Sequence, residues 1–437
     1  MLDITRLRTR DADFPAHFES WLSSTPATEQ DVHGSVAEII EAVRAQGDAA
    51  LLKFTQLHDQ ISAECVSDLE ITKSQVHEAL QSISGEQREA LETAASRIRD
   101  YAKRQRLQSW TIQDEYGNEV GQKVTALQKV GVYVPGGTAA YPSSVLMNVI
   151  PAKVAGVESV CMAVPAPRGD LNPVVLAAGA IAGVDRVFTI GGAQAVAAFA
   201  YGTHTIPKVD KIVGPGNAYV ACAKRMVYGQ VGIDMIAGPS EVLVICDGDA
   251  DAEWVAMDLF SQAEHDPQAR AMLIATEDTF LEQVLKHMNR QLGQLDRAET
   301  ITHSMNNSGV FIQVENLDEA AELSNRIAPE HLSLCVSEPH ALLEKISNAG
   351  AVFLGQDSPE VFGDYCAGPN HVLPTSTTAR YSSPLGVYDF QKRTSVVNCS
   401  REGARKLGKV AAVLAHSEGL SAHARSAEYR YKQTTAT

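Results

Sequence analysis

Lys129-Val130-Gly131-Val132-Tyr133-Val134-Pro135-Gly136-Gly137 decides the architecture. Residues 130 to 134 form a short β-prone apolar run, and Pro135-Gly136-Gly137 stops it. The plan then repeats. A helix is expected around Val145 to Gly156, a strand over Ser159 to Val164, a helix over Pro173 to Gly183 and a strand over Arg186 to Ile190. Gly191-Gly192 leads into a helix from Gln194. Lys211 to Val213 is a strand, and Gly214-Pro215-Gly216-Asn217 opens another helix. Such alternation builds a parallel sheet with helices on both faces, an α/β fold. Three strands end in glycine-rich turns that open helices, and free helix N–H groups at that edge suit a ligand. A single such turn would mean only a tight connection. No G-x-G-x-x-G occurs, so the standard dinucleotide fingerprint is absent.

Working outward, a second alternating block starts at about Glu241. Strands are expected at Val242–Cys246, Ala271–Ala275, Gly309–Val314, His331–Val336 and Ala351–Leu354, with helices between them. Upstream, Asp31 to Gln56 and Ser74 to Leu107 read as amphipathic helices, and residues 108 to 128 as a hairpin or loop. The expected division is an N-terminal arm (1–27), one domain made of 28–132 and 242–385, an inserted domain (133–241), and a helical tail (386–437).

Composition narrows the function. The 437 residues suffice for two or three cores. The formal charge of −16 argues against nucleic acid and anionic membranes as partners. The N-terminus lacks a signal-like apolar core, and no apolar run is long enough to span a bilayer. Seven scattered cysteines without a C-x-x-C pair fit reduced thiols, hence a cytoplasmic protein without a thiolate zinc site.

The candidate chemistry begins at Ser261-Gln262-Ala263-Glu264-His265. Val255, Leu259 and Gln262 share one helical face, and His265 lies a turn further on. A carboxamide and an imidazole three apart can grip a metal, although such a pair is also an ordinary hydrogen-bonded core motif. Glu330-His331 stands where a helix stopped by Pro329 gives way to a strand. Both side chains can serve one site only if the chain is still turning there, because successive strand residues face opposite ways. Asp364 lies in an aperiodic loop, residues 363 to 374, and taken singly is a turn former. His423, in the tail with Glu418, is taken singly a solvated residue. Together, Gln262, His265, Asp364 and His423 form a thiolate-free ligand set suited to Zn2+, with Glu330 and His331 as proton acceptors.

Over nearly its whole length the sequence resembles the histidinol dehydrogenase family. The stretches that carry this are Val132 to Ser144, Gly191 to Ala195, Val213 to Asn217, Ala237 to Val242, Ser261 to His265, Ala328 to Leu332, Gly363 to His371, and Glu418 to Arg425. The resemblance implies two incomplete Rossmann-like domains, with terminal segments exchanged in a homodimer. It implies oxidation of L-histidinol to L-histidine through the aldehyde, with two NAD+ and one zinc per subunit. Gln262, His265, Asp364 and His423 would hold zinc, and Glu330 and His331 would be the acid/base residues. Ser240 and Glu418 would join the zinc ligands and His331 around the substrate. Tyr133, Gln194 and Asn217 would line the nucleotide site. A related dehydrogenase of another amino- or sulfo-alcohol, a zinc hydrolase and a non-catalytic binding protein are the competing readings.

Overall fold

The computed structural model describes residues 1–23, 28–136 and 141–432. The end of the expected arm, residues 137–140 of the Pro-Gly-Gly stretch, and the last five residues of the tail lie outside them. Two six-stranded sheets carry the molecule. The insert sheet runs Glu70–Ile71, Arg186–Phe188, Ser159–Ala163, Lys129–Tyr133, Lys211–Val213, Gly232–Ile233. Only Glu70–Ile71 is antiparallel to its neighbour. The second sheet, wholly parallel, runs Thr5–Arg8, Val310–Gln313, Arg270–Ala275, Glu241–Cys246, His331–Cys335, Ala351–Leu354. Its central run Val242-Leu243-Val244-Ile245 is fully buried, as a strand covered on both faces must be. The α/β reading with parallel sheets therefore holds.

Apart from the edge strands Thr5–Arg8 and Glu70–Ile71, which come first in sequence, the chain in each sheet starts mid-sheet, steps outward to one side, then returns to the other. The order reverses between Lys129–Tyr133 and Lys211–Val213 in the insert sheet, and between Glu241–Cys246 and His331–Cys335 in the second. Such reversal points open crevices. At the insert sheet the crevice lies off the carboxyl ends, as expected. At the second sheet the functional residues gather at the amino ends.

Packing redraws the expected division. The helices of residues 28–132 pack on the insert. Val36, Ile39, Ile40, Val43 and Leu51 join one core with Val196, Phe199, Val220 and Val227 of the insert, and Leu91, Ala95 and Ile98 join the other insert core with Leu146 and Ile150. The insert has helices of its own on both faces, but their outer sides are also apolar and take a second layer. The two long helices read from the sequence are four. Gly47, with φ at 57°, separates Thr28–Gln46 from Asp48–Asp59. Ser84 starts Gly85–Arg104 with a reciprocal cap to Gln87. The N-terminal arm is closer knit than its polar composition suggests. Thr5–Arg8 pairs in register with Val310–Gln313, and Phe14, Phe18 and Trp21 of the helix Phe14–Ser23 are buried against that sheet.

A third, antiparallel sheet joins the two ends of the chain's middle and tail. The hairpin expected over 108–128 is there, as Trp110–Gln113 and Glu119–Ala126. Gln391–Asn398 adds to it over eight register pairs. That strand was not foreseen, because its polar residues carry no period-two pattern. Beyond it, Arg401–Ser417 and Ser421–Tyr431 pack on each other. Leu407, Val410, Val413 and Leu414 of the longer helix stay exposed.

Candidate active site

A cleft of ≈ 450 Å3 lies between the carboxyl edge of the insert sheet and the amino edge of the second. Tyr133, Asn217, Ser240, Gln262, His265, Glu330, His331 and Asp364 line it together. Eight residues singled out from sequence thus converge. Gln194 is buried and does not line it, nor do Glu418, exposed in the turn between the tail helices, and His423, exposed on the second of them.

Glu330 and His331 work from the same side because the chain is still turning at their junction. Ala328, in the left-handed region at φ 49°, ends the helix Leu317–Ile327. Both side chains then hang on one backbone residue. Glu241 N–H donates to Glu330 Oε2 at 2.9 Å, and His331 Nδ1 donates to the Glu241 carbonyl at 3.0 Å. Nδ1 is thereby tied to the Glu241 backbone, and Nε2 faces Asp364 Oδ1 at 3.3 Å. Burial pushes the Glu330 carboxyl up to about 8, against the pull of His331. Burial alone would lower His331, but the carboxylates of Glu330, Asp364 and Glu360 together raise it. The pair is an acid/base couple in a buried, carboxylate-rich pocket.

Gln262 ends the helix Ala252–Ala263, and His265 follows in the turn, its N–H on the Gln262 carbonyl at 3.2 Å. Asp364 sits in the last turn of a short helix, Glu360–Tyr365, where an irregular loop was expected. His371 Nδ1 donates to the Asp364 carbonyl at 2.8 Å. Burial keeps His265 below its usual range, and His331 outweighs burial to hold Asp364 low. A neutral imidazole and an ionised carboxylate are the forms a metal needs. Among the described residues no group of three His, Cys, Asp or Glu side chains is placed to hold a metal. The cleft brings together His265, Asp364 and an amide, while His423 lies outside it. As donor types, an imidazole, a carboxylate and an amide oxygen suit zinc. Gln262 is satisfied in one orientation only, with its nitrogen on Glu360 and its oxygen at the opposite end.

The glycine turns shape the other wall. Gly214 has φ 106°, and a Cβ there would stand 2.0 Å from the Tyr133 carbonyl. Its N–H donates to Asp234 Oδ2 at 2.7 Å, and its carbonyl accepts from Lys224 Nζ at 2.9 Å. The buried Lys224–Asp234 ion pair thus clamps the turn. Asn217 then caps the helix Ala218–Val227, accepting from Tyr219 and Val220 N–H. Tyr133 Oη accepts from Gly192 N–H at 3.1 Å, and both amide atoms of buried Gln194 lack a partner. A helix start, an orphaned amide and close-approach glycines fit a dinucleotide. Sequence reasoning missed Glu241, Glu360 and the Lys224–Asp234 clamp. Only Glu360 left a signal, four residues before Asp364.

The chain matches the family model described as histidinol dehydrogenase over residues 23–431. It is 57% identical over 427 residues to a histidinol dehydrogenase of Pseudomonas fluorescens, covering 98% of this chain and 97% of that protein. For the enzyme of Methylococcus capsulatus the figures are 57% over 429 residues, with 98% of each chain. The crystal structure of histidinol dehydrogenase from Elizabethkingia anophelis aligns with a TM-score of 0.93 at 32% identity, over 99% of each chain.

Proposed function

The chain belongs to the histidinol dehydrogenase family, an oxidoreductase family of histidine biosynthesis, and with that as premise we propose that it oxidises L-histidinol to L-histidine through L-histidinal, using zinc and two NAD+. The observation that carries this is the single cleft shared by acid/base residues, metal-type donors and glycine turns from two sheets. Gln262, His265 and Asp364 would hold zinc, with His423 from the tail of a second subunit as the fourth ligand. Bound zinc supplies a Lewis-acid anchor for the nitrogen donors of histidinol. Bound NAD+ at Tyr133, Gln194 and Asn217 supplies the hydride acceptor.

The chain's own residues do the rest. Ser240, at the mouth of Glu241–Cys246, and Glu418 of the second subunit hold the substrate amine and ring. His331, its Nδ1 tied to Glu241, would take the hydroxyl proton at Nε2 as hydride leaves. Glu330, anchored on the Glu241 amide, activates water to hydrate the aldehyde for the second oxidation.

Absorbance at the NADH band tests the reading, with two NADH expected per histidinol. Dialysis against a strong chelator should abolish turnover, and added zinc should restore it. His265→Ala and Asp364→Ala should each lower zinc affinity by well over roughly tenfold, since even outer-shell losses cost about that much. Full turnover in verified zinc-free protein would overturn the metal assignment.

A further inference from the structure

We propose that Glu360 is a positioning residue that sets which atom Gln262 turns toward the metal, and that zinc affinity depends on it. The inference rests on the zinc reading above. A carboxamide has two ends, and only its oxygen has a lone pair to give a metal. A Gln free to flip would spend part of its time with its nitrogen toward the ion, which is repulsive. Here that freedom is gone. The Gln262 nitrogen lies 3.0 Å from Glu360 Oε1 and 3.3 Å from Oε2, and against ionised Glu360 the reverse orientation would set oxygen against oxygen. Gln262 is fully buried and Glu360 nearly so, leaving no room for solvent to compete.

Glu360 is itself held. Ser261 Oγ, next to Gln262 in sequence, approaches Glu360 Oε1 at 2.9 Å. Glu360 is also the first residue of the short helix whose last turn presents Asp364. One carboxylate therefore ties the helix that offers Gln262 to the helix that offers Asp364. Burial pushes the Glu360 carboxyl up to about 8, and in its ionised form it draws electron density through the amide N–H group toward the amide oxygen, which makes that oxygen a better donor. The Glu360 carboxylate lines neither the cleft nor any contact with reacting atoms, so its effect passes through Gln262.

The test is zinc affinity, measured by competition with a chromophoric chelator on the full-length protein. Glu360→Gln keeps volume but offers an amide that can no longer accept both interactions. It should lower zinc affinity roughly 10- to 100-fold. Gln262→Ala should lower it at least as much. In the double variant the two losses should not multiply, because Glu360 has nothing left to orient. Ser261→Ala, which loosens Glu360 without touching either ligand, should cost a few-fold and guards against misfolding of Glu360→Gln. Wild-type affinity in Glu360→Gln alongside weakened binding in Gln262→Ala would overturn the proposal and leave the zinc reading standing. So would losses that multiply, which would mean that Glu360 acts by its charge alone. Unchanged affinity in Gln262→Ala would instead remove the zinc reading on which the proposal stands.

Discussion

His331 and Glu330 differ in what they hang from, and that separates their tasks. His331 gives Nδ1–H to the Glu241 carbonyl, while Glu330 takes the Glu241 N–H. The first arrangement fixes the imidazole so that Nε2 is the ring nitrogen left for proton transfer. His331→Asn should therefore slow both oxidations, by roughly 100- to 10,000-fold for loss of a positioned base. Glu330→Gln keeps its size but cannot accept a proton. It should slow oxidation of the aldehyde more than that of the alcohol, because only the aldehyde requires an activated water. Separate assays with histidinol and histidinal read this directly, and equal losses for Glu330→Gln would refute the division of labour. The residue scale was largely legible beforehand. Glu330 and His331 stood out as adjacent titratable groups at a helix-to-strand junction, and Gln262 and His265 by helical spacing. Glu241 escaped because its role lies in its backbone, which no side-chain pattern reports.

At the level of elements, the N-terminal helix Phe14–Ser23 shows how a polar segment can be structural. Phe18 is fully buried beside Phe14 and Trp21, and the Arg326 guanidinium lies over its ring. Phe18→Ala should destabilise the protein by about 3–5 kcal/mol, the usual cost of emptying a buried aromatic site, read from urea denaturation. The Gly214 clamp is another such element. Lys224→Met leaves Asp234 as a buried charge without its partner, at a cost of about 3–5 kcal/mol, and it frees the turn that leads to Asn217. KM for NAD+ should rise more than kcat falls, and a matching loss in kcat would tie the clamp to chemistry rather than to cofactor binding. The parallel blocks were legible because their strands are buried on both faces and read as unbroken apolar runs. Gln391–Asn398 was not, since it gains its place from a ladder of backbone hydrogen bonds, to which polar side chains are indifferent. Nor was the packing of residues 28–107. Periodicity marks which helix face is apolar and is silent about which sheet receives it.

Across the whole molecule, the proposed zinc site is incomplete within one chain. Three donors line the cleft, and His423 rides on helices that leave it. On the proposed exchanged dimer, Asp364→Ala and His423→Ala homodimers should each be nearly inactive. Unfolding and refolding the two together makes about half the dimers mixed, each with one intact site of two. Activity should recover to roughly a quarter of wild type. No regain, under conditions where wild type refolds well, would assign His423 to its own chain. The strand Gln391–Asn398 has a bearing on how such dimers come about. Its eight register pairs with Glu119–Ala126 lie within one chain, so on the proposed dimer the exchanged tail helices would be carried by a sheet that their own chain completes. Association is then an encounter between finished surfaces, with little ordering left for the moment of contact. Its rate should follow the product of subunit concentrations and change little under conditions that merely favour helix formation.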